Sequence, residues 1–384
     1  MDIITSIPVW GYALISVVLP FLFVLTIVVF FHELGHYLAG RWNKFSIEAF
    51  SVGFGPEMFG FNDKHGTRWK FCWIPLGGYV RFLGDANASS EPDFDKIEQL
   101  PEAQKAGAFD NKKVWERAIV VAAGPAASFL LAIVIFAASY YIQGRYISDP
   151  VVFEVVEGSA AEEAGFMPGD MIKSIDGVSV ESFGDIPVLV SPNHDLPLSF
   201  LIDRDGRELV LTATPRKIER VDRFGNTIRQ GMIGITHSYD KGNLRNVEMG
   251  LVDSITAGTA QTWSVVTLTM GYLKDIIVGR QDADQLSGPL GIAKTAYDVS
   301  TIGFAQLITL AGFLSASIGL LNLFPIPMLD GGHLLFYAIE AVKGSPLSQR
   351  MQTIGYKIGL TLVLMLMLFA TRNDLLFRFS NLWG

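Results

Sequence analysis

The chain has 384 residues, half of them hydrophobic and only 18% charged, with a formal net charge of −8. This composition excludes a disordered chain, and the acidic balance gives no broad basic face for nucleic acid. Cys72 is the one cysteine, which excludes an intramolecular disulfide and a thiolate-rich zinc site.

The apolar residues are clustered into uncharged runs. A helix crossing a ~30 Å hydrocarbon core needs roughly 20 of them. Four runs qualify: Ile3 to Phe31, Ala118 to Gly144, Val299 to Leu329, and Met351 to Ala370, the last broken only by Lys357. The first reads as a span, not a cleavable signal peptide, because it lacks a basic leader and its apolar part is too long. A fifth run, Ser254 to Leu273, is rich in Thr, Ser, Gly and Gln, and reads as external or interfacial.

Residues 1–11 carry no Lys or Arg, whereas the segment from Gly40 to Arg117 carries eleven, five of them close to the spans. The positive-inside rule therefore predicts an external N-terminus and a cytoplasmic 41–117. The domain reading is a first span in 1–40, a cytoplasmic segment in 41–117, and a second span in 118–144. An external domain follows in 145–240, then an amphipathic helix region in 241–298, a third span in 299–332, and 333–384 with a short helix, the fourth span and a tail. Arg372 and Arg378 then fall outside, against the rule.

At the end of the first run stands His32-Glu33-Leu34-Gly35-His36. Residues i and i+4 share a helix face, so His32 and His36 can reach one metal, and Glu33 lies beside it to take a proton from the attacking water. Two imidazoles and a water leave a tetrahedral zinc one ligand short. Asp330, which follows two helix-breaking prolines at the end of the third run, is the preferred candidate; His333 is the alternative. His65, His194 and His237 read as solvated.

The external domain reads as strands and turns. Val151 to Val156 is a strand candidate, and a short helix ends at Ala164-Gly165. Asp176-Gly177 and Asp205-Gly206 are hairpin turns. Residues 216–245 read as the end of that domain and a linker with a turn at Gly225-Asn226. Residues 246–278 have helical spacing. In the cytoplasmic segment, Phe45 to Leu83 reads as β-hairpins, at least one dipping toward the membrane, and Ser89 to Phe109 as a mobile acidic stretch. Cys72 reads as a packed thiol.

Together these motifs resemble the site-2 protease family of intramembrane zinc metalloproteases, in its bacterial regulator of sigma-E protease branch. The resemblance is carried by the His32 to His36 motif, Gly53-Phe54-Gly55-Pro56, Ile74 to Val80, Ala123-Gly124-Pro125, Leu286 to Ile292, and Asn322 to Gly332. It implies a polytopic α-helical membrane protein with four transmembrane helices, membrane-associated β-hairpins and an inserted extracytoplasmic β-rich PDZ domain. It implies Zn2+ held by His32, His36 and Asp330, Glu33 as catalytic acid/base, and Asn322 near the substrate, with Gly53, Phe54 and Gly55 as further substrate-binding candidates. The implied partners are single-span membrane proteins, such as anti-sigma factors or signal-peptide remnants, already trimmed outside. The implied location is a bacterial inner membrane, with the PDZ-like domain periplasmic and the active site toward the cytoplasm. That domain would bind extended peptide or occlude the site. Two features depart from the pattern: Ser128 stands where relatives often carry Asn, and one PDZ domain is found where close relatives often carry two.

Overall fold

The computed structural model describes residues 9–85, 101, 105, 107–221, 227–237, 244–279, 283 and 286–378. The chain forms two compact units. One comprises Met1–Ala138, Ile255–Thr269 and Asp284–Leu375; the other comprises Ser139–Ser254, Met270–Ala283 and Leu376–Gly384.

The longer helices, most of whose residues belong to the first unit, are α1 (Val9–Trp42), α2 (Val114–Gln143), α3 (Leu251–Ile277), α4 (Pro289–Ser300), α5 (Phe304–Asn322), α6 (Asp330–Lys343) and α7 (Gln349–Asn373). Among the described residues, four helices are long and apolar enough to cross a membrane: Ile15–Trp42, Val114–Gln143, Phe304–Asn322 and Gln349–Leu376. α3 is one continuous amphipathic helix and is not among them.

Small residues let α1 and α2 approach closely. A Cβ on Gly35 would collide with the backbone carbonyl of Ala123 and stand 2.7 Å from the Cβ of Ala127. Farther along the same helices, Val24 and Val28 pack with Leu131, Ile135, Leu307 and Ala311 in a buried apolar cluster. Without a hydrophobic force between helices in lipid, this contact packing is what fixes their relative rotation.

The uncharged run Val299 to Leu329 is not one helix. α4 ends at Ser300, α5 starts after Gly303, and the chain leaves helix after Asn322. Gly303, with φ +155°, makes the first break, and the prolines at 325 and 327 maintain the second. The loop is pinned at its end. Gly331 packs on the carbonyls of Leu323 and Phe324, Gly332 on that of Ile326, and Gly359 of α7 on that of Pro327. Met328 is held at φ +90°, a left-handed conformation rare for a residue with a side chain.

Between α1 and α2, strands β1 (Ile47–Asn62) and β2 (Arg68–Phe82) form one bent hairpin. Residues 49–52 are matched on one side to Gly78–Arg81 and on the other to Arg68–Phe71. The fold-back puts Phe50 on Trp69 at 4.2 Å between ring centroids, with Phe45, Val80, Phe82 and Phe109 in the same core. The hairpin tip is tied to α1 through Asp63, which accepts from Tyr37 Oη and, at 3.3 Å, from Trp69 Nε1. Burial pushes the Asp63 carboxyl up, but these donors and the N–H groups of His65 and Thr67 outweigh it and hold it at about 2. Cys72 is buried, with its thiol 3.3 Å from Ser51 Oγ. The acidic stretch expected to be mobile lies almost wholly outside the described residues.

The second unit holds a four-stranded sheet in the order Val178–Ser179, Met171–Ile175, Leu198–Arg204, Arg207–Ala213. Both Asp-Gly turns close hairpins with positive φ at each central residue: +47° and +79° at Asp176-Gly177, +52° and +81° at Asp205-Gly206. Those angles match the right-handed twist of the flanking strands. Phe200, Ile172, Ile202 and Val152 are fully buried beneath it. Arg204 grips the buried Asp170 with two bonds of 2.7 and 2.8 Å.

Two expectations about this unit change. The strand expected over 151–156 is reduced to Glu154–Val155 with a single bridge at Val151. The stretch expected as a linker is largely β-structure: Arg216–Val221 pairs with Thr227–Met232, Ile235–Thr236 with Glu154–Val155, and Leu244–Val247 with Arg145–Ser148. Its charged residues hide the alternation of a strand. The Gly225-Asn226 turn lies outside the described residues.

Candidate active site

The site is assembled where α1, α2 and the start of α6 meet within the first unit. His32 and His36 are one turn apart on α1, and both are buried. Their Nε2 atoms lie 3.2 Å from each other. Asp330, the first residue of α6, brings Oδ2 to 3.1 Å from His32 Nε2 and Oδ1 to 3.5 Å from His36 Nε2. These are the three residues whose ligand atoms come together among the described residues.

The donor set fits a divalent cation. The Nδ1 of His36 is 2.9 Å from the carbonyl oxygen of Val120, which can only accept. Nδ1 therefore carries the ring proton, and Nε2 of the neutral ring presents a lone pair. Asp330 Oδ2 is buried and has no hydrogen-bond donor among the described residues, despite its nearness to His32. Lone pairs that converge this closely repel one another unless a cation lies between them. Space for one is built in: a Cβ on Gly124 of α2 would run into His36 Nε2 and stand 2.9 Å from His32 Nε2. Two imidazoles and a carboxylate, with no thiolate, suit zinc with a position left open for water.

Glu33 lies on the cavity side of α1, and Val80 of β2 lines the same cavity. The cavity, of about 600 Å³, is also lined by Phe54, Gly78, Tyr79, Asn322, His333 and Tyr337. Of the substrate-binding candidates, Asn322 and Phe54 line it. Gly53 and Gly55 flank Phe54 without lining the cavity; at φ +89° and +83° they shape the bend that presents it. A Cβ on Gly53 would stand 2.8 Å from the carbonyl of Ile74. His333 forms part of the cavity wall and is not in the three-residue cluster. His65 is exposed in the hairpin turn, as expected, whereas His194 and His237 of the second unit, expected to be solvated, are half-buried with their Nε2 atoms covered.

The model of peptidase family M50 matches residues 20–366. The chain belongs to peptidase family M50. A Rhizobium meliloti (strain 1021) protein named as a zinc metalloprotease is 48% identical over 360 residues, covering 94% of this chain and 96% of that one. Metalloprotease MmpA of Caulobacter vibrioides is 40% identical over 377 residues, covering 92% and 94%. This M50 member is thus a zinc-dependent metalloprotease with membrane helices. A solved PDZ domain of an SdrC-like protein from Listeria monocytogenes overlaps 22% of this chain and 83% of that one, at 18% identity and a TM-score of 0.19.

The sequence reading missed the contributions of Gly124, Val120 and Ser128, all on one face of α2. The Ala123-Gly124-Pro125 motif was the available signal, but a missing side chain has no chemistry of its own to read.

Proposed function

We propose that this protease is an intramembrane endopeptidase that cleaves transmembrane segments of single-span membrane proteins after their extracytoplasmic parts have been trimmed, as a step of regulated intramembrane proteolysis. Anti-sigma factors and signal-peptide remnants are the substrate types in view. One observation carries the reading: the lone pairs of His32, His36 and Asp330 converge at the end of an apolar helix, in a cavity that Glu33 also lines.

His32, His36 and Asp330 would hold the zinc, which supplies polarisation of the scissile carbonyl and a lowered pKa for water. Glu33, which lines the same cavity, takes the proton of the attacking water and passes it to the leaving amine. A substrate helix must unwind first, because its carbonyls are tied up in i to i−4 bonds. The strand edge around Gly78 and Tyr79 offers the unwound backbone new partners, with Asn322 and Phe54 holding it in place and Gly53 and Gly55 shaping that support. Exposed Phe59, Phe61 and Trp73 favour a hairpin that lies against the membrane.

In this reading the N-terminus and β-rich unit are periplasmic, and the site is on the cytoplasmic side of a bacterial inner membrane. The density of Lys and Arg in 41–117 supports this. The β-rich unit acts as a PDZ domain that captures extended peptide or occludes the site. A groove of about 60 Å³ between the helix Asp185–Val190 and residues 230–235, lined by Ile186, Val190, Met232 and Ile235, supports peptide capture.

The test compares purified wild type with Glu33→Gln for bound zinc and for cleavage of a single-span substrate. The expected result is zinc retained and cleavage reduced by roughly 10²–10⁴-fold. Undiminished cleavage by Glu33→Gln contradicts the assignment.

A further inference from the structure

α2 presents three residues at successive i, i+4 positions to the histidine pair, and each contributes something different. Val120 offers its carbonyl oxygen to His36 Nδ1 at 2.9 Å. Gly124 offers empty space beside both Nε2 atoms. Ser128, fully buried, places Oγ 3.0 Å from His32 Nδ1. The Ser128 backbone is itself held, its carbonyl accepting from Ser315 Oγ of α5 at 2.7 Å. Ser315 is also fully buried.

We infer that Ser128 is a positioning residue for His32, accepting the Nδ1 proton so that Nε2 keeps its lone pair aimed at the metal. The inference rests on the proposed zinc reading of His32, His36 and Asp330. An unanchored imidazole divides between two tautomers and rotates about its side chain, and only one arrangement serves a metal. A carbonyl enforces the right tautomer outright, as Val120 does for His36. A hydroxyl is permissive, since it can donate or accept. The hydroxyl accepts when the ring proton sits on Nδ1, the nitrogen that faces it. His32 is thus held by an acceptor that must be set by its surroundings, and His36 by one that cannot change.

The size of the site makes the position exacting. A Cβ on Gly319 would lie 3.0 Å from the Ser128 Cβ, so α5 packs closely against this side chain. Removing the oxygen therefore leaves Nδ1 unpaired in a buried place, and the ring is free to adopt the tautomer that directs N–H at the metal.

The experiment measures zinc affinity in detergent by competition with a chromophoric chelator, independently of proteolysis. It uses wild type, Ser128→Ala, Ser128→Thr, Ser128→Val and His32→Ala. Thr and Val have nearly the same shape and differ in the hydroxyl, so their ratio is insensitive to crowding at Gly319. Ser128→Ala is expected to bind zinc about 10–100-fold more weakly, the range for lost outer-shell partners, and Ser128→Thr to exceed Ser128→Val by a similar factor. Affinity within about threefold across the Ser128 variants, while His32→Ala loses zinc, overturns this inference alone. If His32→Ala binds zinc as tightly as wild type, the zinc reading itself fails, and the inference fails with it.

Discussion

The α-carbon of Gly124 faces Nε2 of His36 so closely that a methyl group there would occupy the space the two histidines share. Gly124→Ala is therefore expected to abolish zinc binding and proteolysis while leaving the fold intact. Alanine favours a helix over glycine by about 1 kcal/mol, so α2 itself should not suffer. Zinc content and a thermal unfolding curve check this together. Zinc affinity reduced by more than about 100-fold, with an unfolding midpoint no lower than that of the metal-free wild type, is the expected pair of results.

Arg117 of α2 and Glu340 of α6 form an ion pair of 2.6 Å whose side chains are only 8% and 12% exposed. The guanidinium also lies 4.9 Å from the ring centre of Tyr337. Removing one partner strands a buried charge, so Glu340→Leu should cost about 3–5 kcal/mol. The double variant Arg117→Met/Glu340→Leu removes both charges and should recover much of that loss. Denaturant or thermal unfolding in detergent reads both. A double variant as unstable as the sum of its singles would show that the pair is not the relevant unit.

The spacing of His32 and His36 made the core of the site readable, because a helix converts four residues of sequence into one shared face. Asp330 was readable for a different reason: an acid after two prolines in an apolar run needs a partner. The two Asp-Gly hairpins were equally plain, since few residue pairs accept positive φ twice in succession. Three features stayed hidden. The break at Gly303 within Val299 to Leu329 leaves an uncharged run looking continuous. The charged residues of 216–247 mask the β pairing that joins them to the second unit. The supporting face of α2 consists of a carbonyl, an absent side chain and a short hydroxyl, and none of these gives a periodic signal.

Gly359 of α7 backs the Asp330 loop, with its α-carbon against the carbonyl of Pro327. Gly359→Ala should push that loop and weaken zinc binding although the substitution lies in a different helix from every proposed ligand. Overpacking of this kind costs about 1–3 kcal/mol. A fall in both unfolding midpoint and zinc affinity is expected; unchanged zinc affinity would show that α7 does not set the position of Asp330.

Burial pushes the Asp85 carboxyl up to about 8; the Phe82 N–H opposes this, and nearby Asp110 and Glu48 add to it. An unfolded aspartate titrates near about 3.9. Between those values the folded chain binds a proton that the unfolded chain releases, so stability falls as pH rises through this window. Asp85→Asn removes that slope. The variant should gain stability relative to wild type as pH is raised from about 5 to about 8, read from unfolding midpoints. Parallel profiles would contradict the buried, protonated state of Asp85.

The central claim is that His32, His36 and Asp330 hold one zinc ion. X-ray absorption at the zinc edge of the purified protein tests it most directly, with Asp330→Ala measured beside wild type. The expected result is one zinc per chain with two imidazole nitrogens and a carboxylate oxygen at about 2.0–2.2 Å, and loss of the carboxylate contribution with weakened binding in Asp330→Ala. An identical spectrum and undiminished zinc content in Asp330→Ala would contradict it.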